Sequence, residues 1–291
     1  MEKEVELVGI IWALITAVCW GSIVLVSEKL GGDFHSQTFG MTLGALLFSI
    51  VAFFIVQPDL NITVFAIGIV SGIFWVIGQR NQFASVDYLG VSKIVPLSTG
   101  MQLFGTTLFG VIVFHEWKTM TEIIIGIIAI CAIIAGALLT SRRSEQGDQK
   151  DKQNFKKGLT ILLISTIGYV TYVVIIRWFE VNGWQAILPQ AVGMFIGALV
   201  LSFKHKPFNK YSYRNILTGL IWSTGNLTLL LSLPLIGIAT SFSLSQTGII
   251  ISTLGGIFLL GEKRSKKEII WVISGCVLII AGGVMLGFTK S

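Results

Sequence analysis

Stretches of roughly twenty apolar residues, separated by short polar breaks, set the frame of this chain. Ten can be marked, at about 7–27, 37–56, 62–84, 91–114, 122–139, 158–179, 184–203, 213–233, 237–260 and 268–288. A helix of that length crosses the hydrocarbon of a bilayer, and in lipid each backbone polar group must be satisfied within the segment, so the pattern predicts membrane helices. The runs are not uniformly apolar. In the third, Trp75, Gln79 and Gln82 recur at i, i+4 and i+7 and share one helical face; in the fourth, Ser98 and Gln102 do the same.

The layout returns about 150 residues later. Gly40, Met41, Gly44, Ala45, Leu46 and Ser49 match Gly193, Met194, Gly197, Ala198, Leu199 and Ser202, each 153 residues on, as Gln37 matches Gln190. Trp75, Gly78 and Gly90 match Trp222, Gly225 and Gly237 at 147, and Glu116 matches Glu262 at 146. The chain therefore divides into a first five-helix repeat at 1–140, a hydrophilic cytoplasmic loop at 141–157 and a second five-helix repeat at 158–291. An odd number of spans turns the second half over. The predicted fold is all-α: a polytopic membrane protein of ten transmembrane helices in two inverted repeats, with a substrate near the midplane between them. The Gly-x-x-x-Gly pairs 40/44 and 193/197 predict close helix contacts.

Composition agrees. Charged residues make up 12% of the chain and hydrophobic ones 53%, at a mean hydropathy of +0.81, against about 25% charged in a soluble domain. Cys19, Cys131 and Cys276 lie inside apolar runs and form neither a disulfide framework nor a metal pattern. Glu2, Glu4 and Glu6 precede the first run and no small-residue cleavage motif follows it, so that run is expected to stay. The net charge of +6 would suit nucleic acid in a soluble protein; in a membrane protein basic loops record orientation instead. Lysines and arginines number 16 after the odd spans and 4 on the other side, which places the odd loops in the cytoplasm and both termini outside.

The polar positions suggest a lining. An aromatic face covers the C–H face of a sugar ring, and an amide offers both donor and acceptor to neighbouring hydroxyls. Trp75, Gln79, Gln82, Gln102, Trp222, Asn226 and Gln246 are the predicted substrate-binding set, with Asn81, Gln190, Tyr169 and Tyr172 as neighbours and Trp20 as a lesser candidate. The plain alternative for any one amide is a helix–helix hydrogen bond, worth ~0.6 kcal/mol. Arg80, Lys93, Glu116 and Glu262 lie toward span ends and are the candidates for gating or coupling; snorkelling is the plain account of the two cations, with a gate or a salt bridge to Asp87 as the other reading. No nucleophile, base and metal set stands at workable spacing, so neither an enzyme nor a cofactor is expected.

Trp20-Gly21, GMTLGAL in the second span, GQRNQF in the third and VSKIVPLSTGMQLFGTTLFGVIVFHEW around the fourth resemble the glucose/ribose porter family of the drug/metabolite transporter superfamily. The likeness covers essentially the whole chain. It implies import of a sugar, glucose ahead of ribose, across the cytoplasmic membrane by alternating access, facilitative or coupled to protons. It supports Gln79, Asn81, Gln82, Lys93, Ser98, Thr99 and Gln102 as motif positions. Two other readings stand beside it: an exporter of another metabolite or drug, because fold does not fix cargo, and a membrane sensor that binds sugar without moving it.

Overall fold

The computed structural model describes residues 2–142 and 149–289. Ten helices among them are long and apolar enough to cross a membrane: α1 (Lys3–Leu30), α2 (Phe34–Val56), α3 (Ile62–Leu89), α4 (Val91–Ile112), α5 (Met120–Ser141), α6 (Gln153–Trp178), α7 (Gly183–His205), α8 (Lys210–Gly237), α9 (Thr240–Phe258) and α10 (Lys266–Gly287). No strand occurs among the described residues, and the chain is a multi-pass membrane protein.

The helices outrun the apolar stretches that mark them. The helix containing α6 begins at Gln149, well before its apolar run. Hydropathy reports the thickness of the hydrocarbon, whereas the backbone ladder continues into polar surroundings. The expected loop at 141–157 is thus helical from Gln149 onward, and its portion at 143–148, with Arg143, lies outside the described residues.

Caps fix several helix starts. Thr119 accepts from the Glu122 N–H while the Glu122 carboxylate returns to the Thr119 N–H, opening α5; Ser265 and Glu268 do the same for α10, 146 residues later. Each box satisfies two otherwise orphaned donors. Gly90 alone separates α3 from α4, at φ 80° and ψ 162°. Gly237 separates α8 from α9 at φ 76° and ψ 164°. A Cβ is strained in that region, so the same residue type stands at both breaks.

The chain packs as two compact units, and each draws on both halves of the sequence. One comprises Met1–Leu25, Val86–Leu159 and Gly225–Ser291; the other comprises Val26–Ser85 and Thr160–Thr224. The first has a core of Leu103 from α4, Ala129 and Ile133 from α5, Ile249 from α9, and Val272, Cys276, Ile279 and Leu286 from α10.

The second unit is held by backbone approach. A Cβ at Gly40 would lie 2.1 Å from the Ser212 carbonyl oxygen, one at Gly44 2.1 Å from that of Ile216, and one at Gly219 2.0 Å from that of Met41, so α2 and α8 touch main chain to main chain. Between α3 and α7, Gly72 meets the Gln190 oxygen at 2.1 Å and Gly193 meets the Ile69 oxygen at 2.1 Å. Small residues permit this approach, and dispersion rewards it where lipid offers no hydrophobic drive.

The expected close contacts occur at Gly40, Gly44 and Gly193. Gly197 differs, because the nearest atom to a Cβ there is Ile73 Cα at an ordinary 3.4 Å. Gly193→Ala is therefore expected to destabilise the protein by about 1–3 kcal/mol through overpacking, and Gly197→Ala to be nearly neutral. Thermal unfolding of the two purified variants in detergent checks the difference.

Candidate functional site

In the second unit, α3 turns Trp75, Gln79 and Gln82 to one side, where α6 supplies Tyr169 and α8 supplies Trp222. Glycines let α3 and α6 come close: a Cβ at Gly168 would lie 2.5 Å from the Gly78 nitrogen. Ser165 Oγ donates to the Gly78 carbonyl at 2.6 Å and fixes the register. The Trp75 and Trp222 rings lie 4.9 Å apart at 57°, and Tyr169 meets Trp75 edge to face at 6.3 Å and 79°. Trp75 is only 2% exposed.

The amides beside the rings are organised by one hydroxyl. Tyr169 Oη donates to Gln79 Oε1 at 2.7 Å and lies 3.2 Å from Gln82 Oε1. Gln79 Nε2 donates to Gln82 Oε1 at 3.3 Å. The carbonyl ends are thereby occupied, and the orientation of the Gln79 amide is set by the network. Two indole faces, a phenol edge and an oriented amide pair suit a ring that is apolar on its faces and hydroxylated at its rim.

The structure brings Trp75, Gln79, Gln82 and Trp222 together; the other predicted residues belong to the first unit. There Gln102 Nε2 donates to Ser98 Oγ at 3.0 Å, one turn back on α4. Gln246 is buried, with Nε2 3.3 Å from Ser245 Oγ. The Asn226 side chain is half-buried. The described hydrogen bonds do not join these three amides to one another. Trp20, which the sequence ranks lowest of the mid-span indoles, lies against Gly225 next to Asn226 in the chain, and its buried Nε1–H has no hydrogen-bond partner. Of the neighbouring amides, Gln190 takes the plain role, its Nε2 donating across helices to Ser71 Oγ at 2.9 Å, while Asn81 Nδ2 bonds back to the Ile77 carbonyl within α3 at 2.7 Å.

Among the gating candidates, Glu262 closes the first turn of α4. Its carboxylate accepts from the Val91 N–H at 2.5 Å, the Ser92 N–H at 3.2 Å, the Ser92 hydroxyl, and Arg264 Nη2 at 3.1 Å. Arg264 also donates to the Leu89 carbonyl at 2.5 Å, so both sides of the Gly90 break are clamped. An anion there meets orphan N–H groups and the positive end of the helix dipole, an interaction worth roughly 0.5–2 kcal/mol. Glu116 repeats the local turn, its N–H donating to the Gly110 carbonyl at 3.1 Å as that of Glu262 does to Gly256 at 3.2 Å.

Snorkelling does not account for Lys93, whereas Arg80 is only half-buried. Lys93 is 2% exposed, and its Nζ lies 3.2 Å from both Glu268 Oε1 and the Arg142 carbonyl. Arg80 Nη2 lies 3.3 Å from His35 Nε2, with its guanidinium 4.8 Å from the centre of the Phe34 ring. Neither partner is near in sequence, so spacing could not reveal them. No group of three metal-ligating side chains occurs among the described residues. A cavity of about 780 Å³ in the first unit is lined by Lys3, Val5, Glu6, Ile10, Leu235, Ile236 and Thr240, and shares no residue with the Trp75 cluster.

These features define a polytopic α-helical membrane protein with an aromatic and amide cluster on its helices. The family described as "Sugar transport protein" matches residues 11–289, and the chain belongs to that family. Membership places it among transport proteins rather than enzymes. It is 57% identical to the "Probable glucose uptake protein GlcU" of Priestia megaterium, over 96% of this chain and 98% of that one. It is 56% identical to the "Glucose uptake protein GlcU" of Bacillus subtilis (strain 168), over the same shares of the two chains. A protein of known crystal structure aligns along 97% of both chains with a TM-score of 0.61 and 13% identity, which shows a shared fold.

Tyr169→Phe removes the donor that serves the glutamine carbonyls and is expected to cost ~1–3 kcal/mol, the range for leaving a buried acceptor unsatisfied. Tyr172→Phe, on the same helix, removes a hydroxyl with no hydrogen-bond partner among the described residues and is expected to leave the unfolding midpoint unchanged. Unfolding curves of both variants in detergent compare them.

Proposed function

We propose that the chain takes up glucose across the cytoplasmic membrane by alternating access, with Trp75, Gln79, Gln82 and Trp222 as its sugar site. One observation carries this reading: in a member of a sugar transport family, a buried indole, Trp75, and a half-buried one, Trp222, meet at 4.9 Å beside an amide pair whose orientation is locked. The glucose uptake relatives, alike over nearly their full length, support glucose ahead of ribose. In this reading the Trp75–Trp222 pair parts to admit the ring and closes again behind it.

The two halves act as inverted repeats whose matched elements exchange roles as the site opens to either side. The near-identical backbone at Gly90 and Gly237 supports that symmetry. Both termini face outward and the basic odd loops face the cytoplasm. The cap duty of Glu262 favours facilitated transport over a proton relay through that carboxylate.

Labelled glucose entering proteoliposomes of the purified protein is the direct test. Saturable uptake is expected, and Trp222→Ala is expected to raise KM about threefold to tenfold, the equivalent of losing an aromatic contact of ~0.5–1.5 kcal/mol. Absence of saturable uptake by the wild type, with and without an imposed pH gradient, rejects the reading; a response to the gradient assigns proton coupling. For orientation, a C-terminal reporter is expected to be active only outside the cell, and cytoplasmic activity reverses the assignment.

A further inference from the structure

The sugar site proposed above does not include a cluster at the start of α2, in the second unit, where buried donors lack acceptors. His35 is 5% exposed. Arg80 Nη2 lies 3.3 Å from His35 Nε2. A guanidinium carries only donors, so the contact requires a bare Nε2 and places the proton of the neutral ring on Nδ1. That Nδ1 is buried with no hydrogen-bond partner, and so is Arg80 Nε. Phe34 covers the guanidinium but accepts only at its face, not from the in-plane N–H groups.

The surroundings add positive charge. His205 stacks on His35 with ring centroids 3.7 Å apart and planes at 14°, and its chain neighbours Lys204 and Lys206 are exposed. Asp33 acts on both imidazoles from the turn before α2, but its Oδ1 accepts from the Ser36 N–H at 2.8 Å. Phe203 and Phe208 flank the basic residues at 75% and 60% exposure. Exposed rings beside cations at the end of a membrane helix match the boundary between acyl chains and headgroups.

We propose that Arg80 and His35 form the floor of a binding site for a phosphate-type oxoanion, rimmed by Lys204, His205 and Lys206. Such a group presents several anionic acceptor oxygens, which answer two orphaned donors, and its charge answers the cations around them. Water answers the donors alone. The oxoanion is either the headgroup of an anionic phospholipid or free phosphate. In the orientation proposed above, the site lies at the cytoplasmic leaflet, where anionic lipid is found.

The test uses the purified full-length protein in nanodiscs. Its unfolding midpoint is measured in phosphatidylcholine, in phosphatidylcholine with phosphatidylglycerol, and in phosphatidylcholine with millimolar inorganic phosphate against chloride at equal ionic strength. A rise with phosphatidylglycerol alone assigns the lipid headgroup, and a rise with inorganic phosphate assigns a soluble anion; either upholds the site provided that Arg80→Gln and His35→Asn abolish it. No rise in the wild type, or an undiminished rise in both variants, overturns the site. The surface double variant Lys204→Gln/Lys206→Gln keeps the test decisive should the buried substitutions not fold. It is expected to weaken the half-maximal response by about fivefold per lysine removed, and an unchanged response overturns the proposal.

Discussion

Contact between helices at the distance of a missing Cβ is the constraint from which the second unit follows. Lipid tails are as apolar as leucine, so helices gain little by hiding apolar side chains from them. They gain by fitting. At Gly40, Gly44 and Gly219 on one seam, and Gly72 and Gly193 on the other, a carbonyl oxygen occupies the place a methyl group would take. These seams fix how α2 meets α8 and how α3 meets α7. With α3 anchored, Trp75 and Gln79 are presented toward Trp222 and Tyr169 with little freedom to adjust. The chemistry of the cluster thus rests on residues that carry none.

A second constraint lies where helices are interrupted. One glycine at 90 and one at 237 break the ladder between consecutive membrane helices, and a break in lipid leaves N–H groups to be answered. At Gly90 the answer is Glu262, from a loop some 170 residues on, held in place by Arg264. The acidic residue after each fourth span, which reads in sequence as a candidate for coupling, here has a structural task in its second occurrence.

How far this was legible in the sequence depended on the range of the interaction. Helix number and approximate position follow from apolar length, which is local. The shared face of Trp75, Gln79 and Gln82 follows from helical period, and Trp222 from the internal repeat. Tyr169 could be flagged as a polar ring in a span, but its bond to Gln79 joins residues 90 apart and needs the Gly78–Gly168 contact to be known first. The same holds for Lys93 with Glu268 and for Arg80 with His35. Snorkelling was the natural expectation for cations near helix ends; Lys93 is buried against Glu268 instead, and half-buried Arg80 also meets a partner on another helix. The helical start of α6 was hidden for a different reason: polarity marks the edge of the membrane, not the end of hydrogen bonding.

The seams have a bearing on why the two halves share one chain. In each, one helix comes from the first half of the sequence and its mate from the second, and the turn that Glu262 closes belongs to the half without it. A polypeptide ending at residue 142 would expose ungreased grooves along α2 and α3 and leave α4 open at its head. Only a companion molecule bearing the matching surfaces would cover them. Carrying both halves in one chain turns that meeting into an event within a single translation product, where the companion is always present in equal measure.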